Sequence, residues 1–298
     1  MTYFTDPACP WSWAAEPGLR RLQAEFGDSL SFTYVMGGLA REFRKPTETM
    51  HHVLDACAAS GMPVDPRVWL DAPPRSSYPA CHAVKAAAEQ GLDGPYLRVV
   101  REGIMVERRS MDNADALTEA ARRVPGLNVE RFKIDLQSAA IAEAFAADLE
   151  RARAAAPETH TEGRRRVAFP SFEFRGDDGA GEVVGVYDSG EPAALRAAAQ
   201  QAGATGGALP QVEEALRRFG RMATAEVAVA CDLPGPRAAA ELWRLASEWR
   251  VRPEWHERDR REWRVRRGQR RRWETHGAAS GGADQVPLGP KAGQVVRS

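Results

Sequence analysis

Asp6-Pro7-Ala8-Cys9-Pro10-Trp11-Ser12-Trp13 is the stretch on which the reading of this chain turns. Thr2 to Thr5 before it is short and β-prone, and Asp6-Pro7 breaks any strand ahead of Cys9. Behind it, from Ser12 to Phe26, Trp13, Leu19, Leu22 and Phe26 recur at helical spacing until Gly27-Asp28 stops the pattern. Cys9 therefore stands where a strand hands over to a helix. Unpaired N–H groups and the positive end of the helix dipole stabilise a thiolate there, so a lowered thiol pKa is expected. The competing reading is an ordinary small buried residue, the commoner fate of a lone Cys.

Working outward, Leu30 to Met36 alternates apolar and polar residues and ends at Gly37-Gly38, giving a second strand and a βαβ opening. After Pro46 strand signals vanish, and helical patterns run over 47–60, 79–90, 96–105, 113–124 and 128–155. Strand character returns from Val167 to Phe174, a Gly-Asp-Asp-Gly-Ala-Gly turn follows, and Glu182 to Tyr187 completes a hairpin. Phe169-Pro170 enters that hairpin; a cis X-Pro bond there would present backbone polar groups toward a neighbouring thiol. A helix over 191–201 closes the pattern. The order βαβ, helices, ββα predicts one α/β domain, built from 1–45 and 160–205, around a helical insertion at 46–159.

A C-terminal helical segment is expected over 206–252, followed by a charged and then disordered tail over 253–298. Thr224 to Arg252 has helix-turn-helix rhythm, but its second helix offers only Arg237 and Arg244 as contacts, so a helical pair packed on the first domain is the expected outcome. The arginines from Arg264 to Arg272, between Trp263 and Trp273, suit single-stranded nucleic acid. Glu254, Glu257, Asp259 and Glu262 stand just before them, so a charged solvated helix is expected and nucleic acid is set aside as a partner.

Composition narrows the class. Of 298 residues 43% are hydrophobic, and 41 basic side chains face 41 acidic ones, which argues against a dedicated polyanion binder. Four cysteines are too few for a disulfide scaffold, and Cys57, Cys81 and Cys231 lie on helical stretches among apolar neighbours, as structural thiols do. Cys81-His82 and His51-His52 lack companions at ligand spacing, so no metal site is expected. With no apolar run of membrane-spanning length and no signal-like start, a cytoplasmic protein in a reducing compartment is expected, without a membrane partner.

Four motifs carry a resemblance running from about Thr2 to Ala202. They are the Asp6–Trp13 stretch, Tyr34-Val-Met-Gly-Gly38, Ser76-Ser-Tyr-Pro-Ala-Cys-His-Ala-Val-Lys-Ala-Ala87 and Val167-Ala-Phe-Pro-Ser-Phe172. In this order and spacing the chain resembles the DsbA-like branch of the thioredoxin superfamily. Its nearest groups there are the FrnE-like, the 2-hydroxychromene-2-carboxylate isomerase-like and the SpxH-type protease-adaptor members. The resemblance implies a thioredoxin-like fold interrupted by a helical domain, with Cys9 as nucleophile and Pro170 as a cis-proline beside it. Pro10, Trp11 and Phe169 would line the substrate. In one respect the chain departs from this pattern: Ser12 stands where the family's redox motif has its second Cys. Ser12 cannot resolve a mixed disulfide, although it can donate a hydrogen bond to a Cys9 thiolate.

The resemblance leaves two function classes. One is a monothiol oxidoreductase or isomerase acting on a protein disulfide or thiol substrate. It would bind no cofactor tightly and use glutathione, another low-molecular-weight thiol or a distant Cys as resolver. Kappa-class glutathione transferases, which are similar around Pro-Trp-Ser-Trp, add thiol transfer to this class. The other is an adaptor that presents a client protein to a protease. Retention of Cys9, Trp11 and Pro170 favours the enzyme, and loss of the second Cys favours the adaptor.

Overall fold

The computed structural model describes residues 1–160, 165–176, 182–255 and 261–265. β1 (Thr2–Thr5) leads into α1 (Pro10–Ala14) and α2 (Glu16–Phe26), followed by β2 (Thr33–Met36). The helix expected through Ser12–Phe26 is two helices. Pro17, in the first turn of α2, has no N–H with which to continue α1, and the chain breaks at Ala15.

The insertion consists of α3 (Pro46–Ser60), α4 (Val68–Asp71), α5 (Tyr78–Ala88), α6 (Asp93–Met105), α7 (Ala114–Arg122), α8 (Val129–Leu136) and α9 (Ala139–Ala154). The 128–155 pattern also divides: Ser138 leaves helical dihedrals, and its hydroxyl accepts from the Ile141 N–H at 3.3 Å to cap α9. Asn113 and Asn128 cap α7 and α8 in the same way. α4 is too short to show a period and was not anticipated.

β3 (Ser171–Phe174), β4 (Val184–Val186) and α10 (Pro192–Gln201) complete the first domain. The strands form one sheet in the order β2-β1-β3-β4, with β1 and β2 parallel and β3 antiparallel to both its neighbours. With α1–α2 joining the parallel pair, this is the thioredoxin-like arrangement, and most of the turn between β3 and β4 lies outside the described residues. Tyr3 and Phe172 face each other across β1 and β3 with rings stacked at 4.3 Å. Their core continues through Trp13, Leu22 and Phe26 into Tyr96, Phe132 and Phe145 of the insertion. α9 covers the edge strand β2: the buried Asp148 carboxylate accepts the Met36 N–H at 2.9 Å and pairs with Lys85 at 2.9 Å.

The C-terminal segment departs from expectation. α11 (Val212–Phe219) is followed by β5 (Met222–Ala223), α12 (Thr224–Ala230), α13 (Gly235–Ser247), β6 (Val251–Trp255) and β7 (Arg261–Val265). The last two strands form an antiparallel hairpin, and the sheet order is β5-β7-β6. Residues 254–255 and 261–265, where the start of a charged helix was expected, are thus strand. Val251, Pro253 and Trp255 alternate with charged residues, as do Trp263 and Val265, and that period of two is obscured by the density of Arg. Val212, Leu216, Val227, Leu242, Leu245 and Val251 give this unit its own apolar core. The expected helical pair does pack on the first domain, through α12 against α2, with Ala24 of α2 joining that core. The tail from 266 onward, including the part expected to be disordered, lies outside the described residues.

Candidate functional site

The strand-to-helix junction places Cys9 at the N-cap of α1, where its Sγ accepts the Ser12 N–H at 3.4 Å. Pro10 follows at the first helical position, which suits a residue without an N–H. Phe169 and Pro170 come from the entry to β3: their peptide bond is cis, and the Cys9 thiol donates to the Phe169 carbonyl at 3.6 Å. The structure thus brings Cys9, Pro10, Ser12, Phe169 and Pro170 together, all of them buried. Trp11, between Pro10 and Ser12 in the same turn of α1, is 41% exposed.

Cys9 itself is only 3% exposed. Phe4, Val35, Val167 and Phe169 surround it with Ala152 and Ala155 of the insertion, and Leu39 and Tyr187 pack on the outside. The Phe169 ring lies where a side chain on residue 37 would stand, so Gly37 is what lets it reach Cys9. Arg166 covers the other side, its guanidinium 4.0 Å from the ring centre. This seal reverses the expected direction of the thiol's pKa. Burial pushes Cys9 up from the ordinary thiol value and Asp6 adds to the effect, outweighing the Ser12 groups and the Arg101 charge that favour the thiolate. The Ser12 hydroxyl is buried without a hydrogen-bond partner among the described residues, and it stands beside Sγ, where it favours the charged form.

Two charged groups beneath the site went unread in the sequence. Asp6, fully buried, accepts from the Ala8 and Leu39 N–H groups at 2.8 and 2.6 Å, and from Ser77 and Cys81 at 2.8 and 3.3 Å. It thereby ties the Cys9 loop to the loop after β2 and to α5. Arg101 of α6, also fully buried, donates to Glu16 at 2.6 Å, to the Tyr3 hydroxyl at 3.4 Å and to the Thr5 hydroxyl. Glu16 also takes Arg98 at 3.1 Å, and Arg98 reaches Glu226 of α12 at 2.7 Å. An ion network therefore runs from the strand under Cys9 to the C-terminal unit. Its signal was a charged residue at a core-facing helical position, Arg101, with Arg98 and Glu102 one turn apart beside it. Cys57 and Cys81 are buried and Cys231 is half-buried. Among the described residues no three His, Cys, Asp or Glu side chains are grouped to hold a metal, and no helix is long and apolar enough to cross a membrane.

A sheet of this order with a Cys at the β1–α1 junction and a cis X-Pro against it defines a thioredoxin-type protein. The family model described as Thioredoxin matches residues 3–157, over half of the chain, and the chain belongs to that family. It is similar to the ClpXP adapter protein SpxH of Halalkalibacterium halodurans, 34% identical over 169 residues that cover 49% of this chain and 52% of that protein. The SpxH of Bacillus subtilis is 30% identical over 154 residues, 49% of this chain and 51% of the other. Against these two the chain spans about half of the relative's length. The SpxH of Shouchella clausii matches more widely, 27% identical over 80% of this chain and 79% of that protein. Among solved structures, the cytosolic disulfide reductase DsbM from Pseudomonas aeruginosa superposes with a TM-score of 0.53 at 22% identity, covering 67% of this chain and 96% of that one. The same reductase with GSH gives 0.52 at 21% identity, over 67% and 96%. At that identity the likeness is one of fold.

Proposed function

We propose that this chain is a cytoplasmic adaptor that binds a client protein on its thioredoxin-type face and presents it to a ClpXP-type protease. The observation that carries the reading is the sealed thiol. Cys9 is 3% exposed, its pKa is raised, and Ser12 supplies no second thiol, whereas Trp11 beside it is 41% exposed. A surface that keeps the aromatic residue and hides the nucleophile suits binding better than turnover. The adapter names of the similar proteins support the same reading. The loop held by Asp6 runs on into a groove of about 830 Å³ lined by Arg41, Arg44, Arg75, Ser76 and Asp112 among others, which offers polar contacts for a client.

A second reading, monothiol exchange, has one observation in its favour: the Ser12 N–H on Sγ and the idle Ser12 hydroxyl both favour a thiolate once it forms. In that reaction Cys9 takes one sulfur of a disulfide and releases the other as a thiol. Glutathione then attacks the mixed disulfide and regenerates Cys9. The test is the deglutathionylation of a peptide disulfide in glutathione buffer. The adaptor reading expects the native chain to be no faster than Cys9→Ser, and a Cys9-dependent rate would establish the exchange reading in its place.

A further inference from the structure

The segment that follows Leu39 is held along its length by the segment that leads into α5. The Ser77 N–H donates to the Ala40 carbonyl at 3.0 Å and the Phe43 N–H to the Arg75 carbonyl at 2.8 Å, while the Ser77 hydroxyl accepts the Ala40 N–H at 3.2 Å. Phe43 anchors the first segment, its ring meeting the buried Trp69 edge-on at 5.1 Å. The backbone of Arg41, Arg44 and Arg75 is thereby fixed, and these three line the groove of about 830 Å³ with Glu42, Ser76 and Asp112. A backbone fixed before binding spares a ligand the cost of ordering it.

The buried carboxylate of the groove is already engaged, and the guanidinium groups are not. Asp112 accepts the Arg75 N–H at 2.9 Å and the Ser110 hydroxyl at 3.0 Å; burial works against its charge, yet these bonds hold its carboxyl below the ordinary value. The Arg75 guanidinium stands 3.6 Å from that carboxylate, on a side chain 88% exposed. Arg41 is exposed and has no ion pair among the described residues. Arg44 pairs with Glu42 at 2.8 Å, both of them exposed, and such a pair contributes little and exchanges readily for a better partner. Three guanidinium groups, each able to take a carboxylate through two parallel N–H bonds, thus line one groove.

Two features favour a peptide over a nucleic acid as the occupant. Glu42 and Asp112 in the same lining would repel a continuous run of phosphates, whereas a peptide brings N–H groups to meet them alongside its own carboxylates. The groove also continues from the Cys9 site: Leu39, two residues before Arg41, packs on the outside of the Cys9 pocket, and its N–H is held by Asp6.

We infer that Arg41, Arg44 and Arg75 hold an acidic segment of the client protein, its Asp or Glu side chains paired with the three guanidinium groups. The inference rests on the adaptor reading and names the kind of client that this face selects. Anisotropy of a fluorescein-labelled octapeptide of alternating Glu and Ala, added to the full chain, tests it against the same peptide with Gln for Glu and against a labelled single-stranded DNA octamer. The Glu peptide is expected to bind at least about tenfold more tightly than the Gln peptide, because hydrogen bonds between charged groups exceed those to neutral ones. Arg41→Gln combined with Arg75→Gln leaves the Arg75 N–H on Asp112 and touches no core residue. It is expected to weaken binding of the Glu peptide at least about tenfold. Arg153→Gln, which removes an exposed arginine on α9 outside the groove, is expected to leave that binding unchanged. Glu and Gln peptides of equal affinity, a double variant equal to the native chain, an equal loss in Arg153→Gln, or equal or tighter binding of the DNA octamer would each overturn the inference. Such a result leaves the adaptor reading in place, since Trp11 can hold a client without this groove. That reading fails instead on the half-lives of proteins in cells, where no peptide is added.

Discussion

Glu16→Gln removes one charge from the network under Cys9 while preserving the side chain's size. The Glu16 carboxylate lies 2.6 Å from Arg101 and 3.1 Å from Arg98, both almost wholly buried. Those guanidinium groups overcome the cost of burial and hold its pKa down from the ordinary 4.5 to about 2. Each tenfold change in proton affinity is worth about 1.4 kcal/mol, so the ionised carboxylate contributes about 3 kcal/mol at neutral pH. The figure agrees with the loss of about 3–5 kcal/mol typical when one partner of a buried pair is removed. A carboxyl with a depressed folded pKa binds fewer protons folded than unfolded. Its contribution is therefore complete above about pH 4.5 and is lost as the pH falls toward 2. Urea unfolding followed by Trp fluorescence should show Glu16→Gln less stable than the native chain by about 3 kcal/mol at pH 7 and by about half that at pH 3. A difference below about 1 kcal/mol at pH 7, or one that does not shrink in acid, would refute the assignment of that stability to the ionised carboxylate.

Gly37→Ala places a methyl group where the Phe169 ring now lies; it should cost about 1–3 kcal/mol and make Cys9 alkylate faster with iodoacetamide, as intact-mass spectrometry would record. In the native chain the alkylation rate of Cys9 should rise with pH to a midpoint above 9.0, since burial disfavours its thiolate; a midpoint below a free thiol's would contradict the seal. Asp148→Ala strands the Met36 N–H and Lys85, and thermal unfolding should show a loss of about 1–3 kcal/mol.

The sheet and the position of Cys9 were legible because each rests on local chemistry: a strand broken by Asp6-Pro7, a helix behind it, and Pro170 just ahead of β3. The seal over Cys9 was not legible, because Ala152 and Ala155 arrive from α9, far along the chain, and no periodicity shows which helix end will face the thiol. Helix-terminus reasoning considered only the nearby N–H groups, and the burial that outweighs them is a tertiary property. Asp6 was visible as part of a motif, but its four donors come from three separate segments. In the C-terminal unit the helices were readable from their apolar spacing. Its hairpin was not, because arginines at every second or third position concealed the alternation of Val251, Pro253 and Trp255.

The central claim is that the thioredoxin-type face binds rather than turns over. Protein half-lives measured by pulse labelling across the proteome test it in cells of the source organism lacking this chain and in cells carrying native, Cys9→Ser or Trp11→Glu forms. The account predicts a set of proteins stabilised by the loss, with rapid turnover restored by the native chain and by Cys9→Ser but not by Trp11→Glu. A folded Cys9→Ser protein that restores nothing, or a proteome unchanged by loss of the chain, would contradict it.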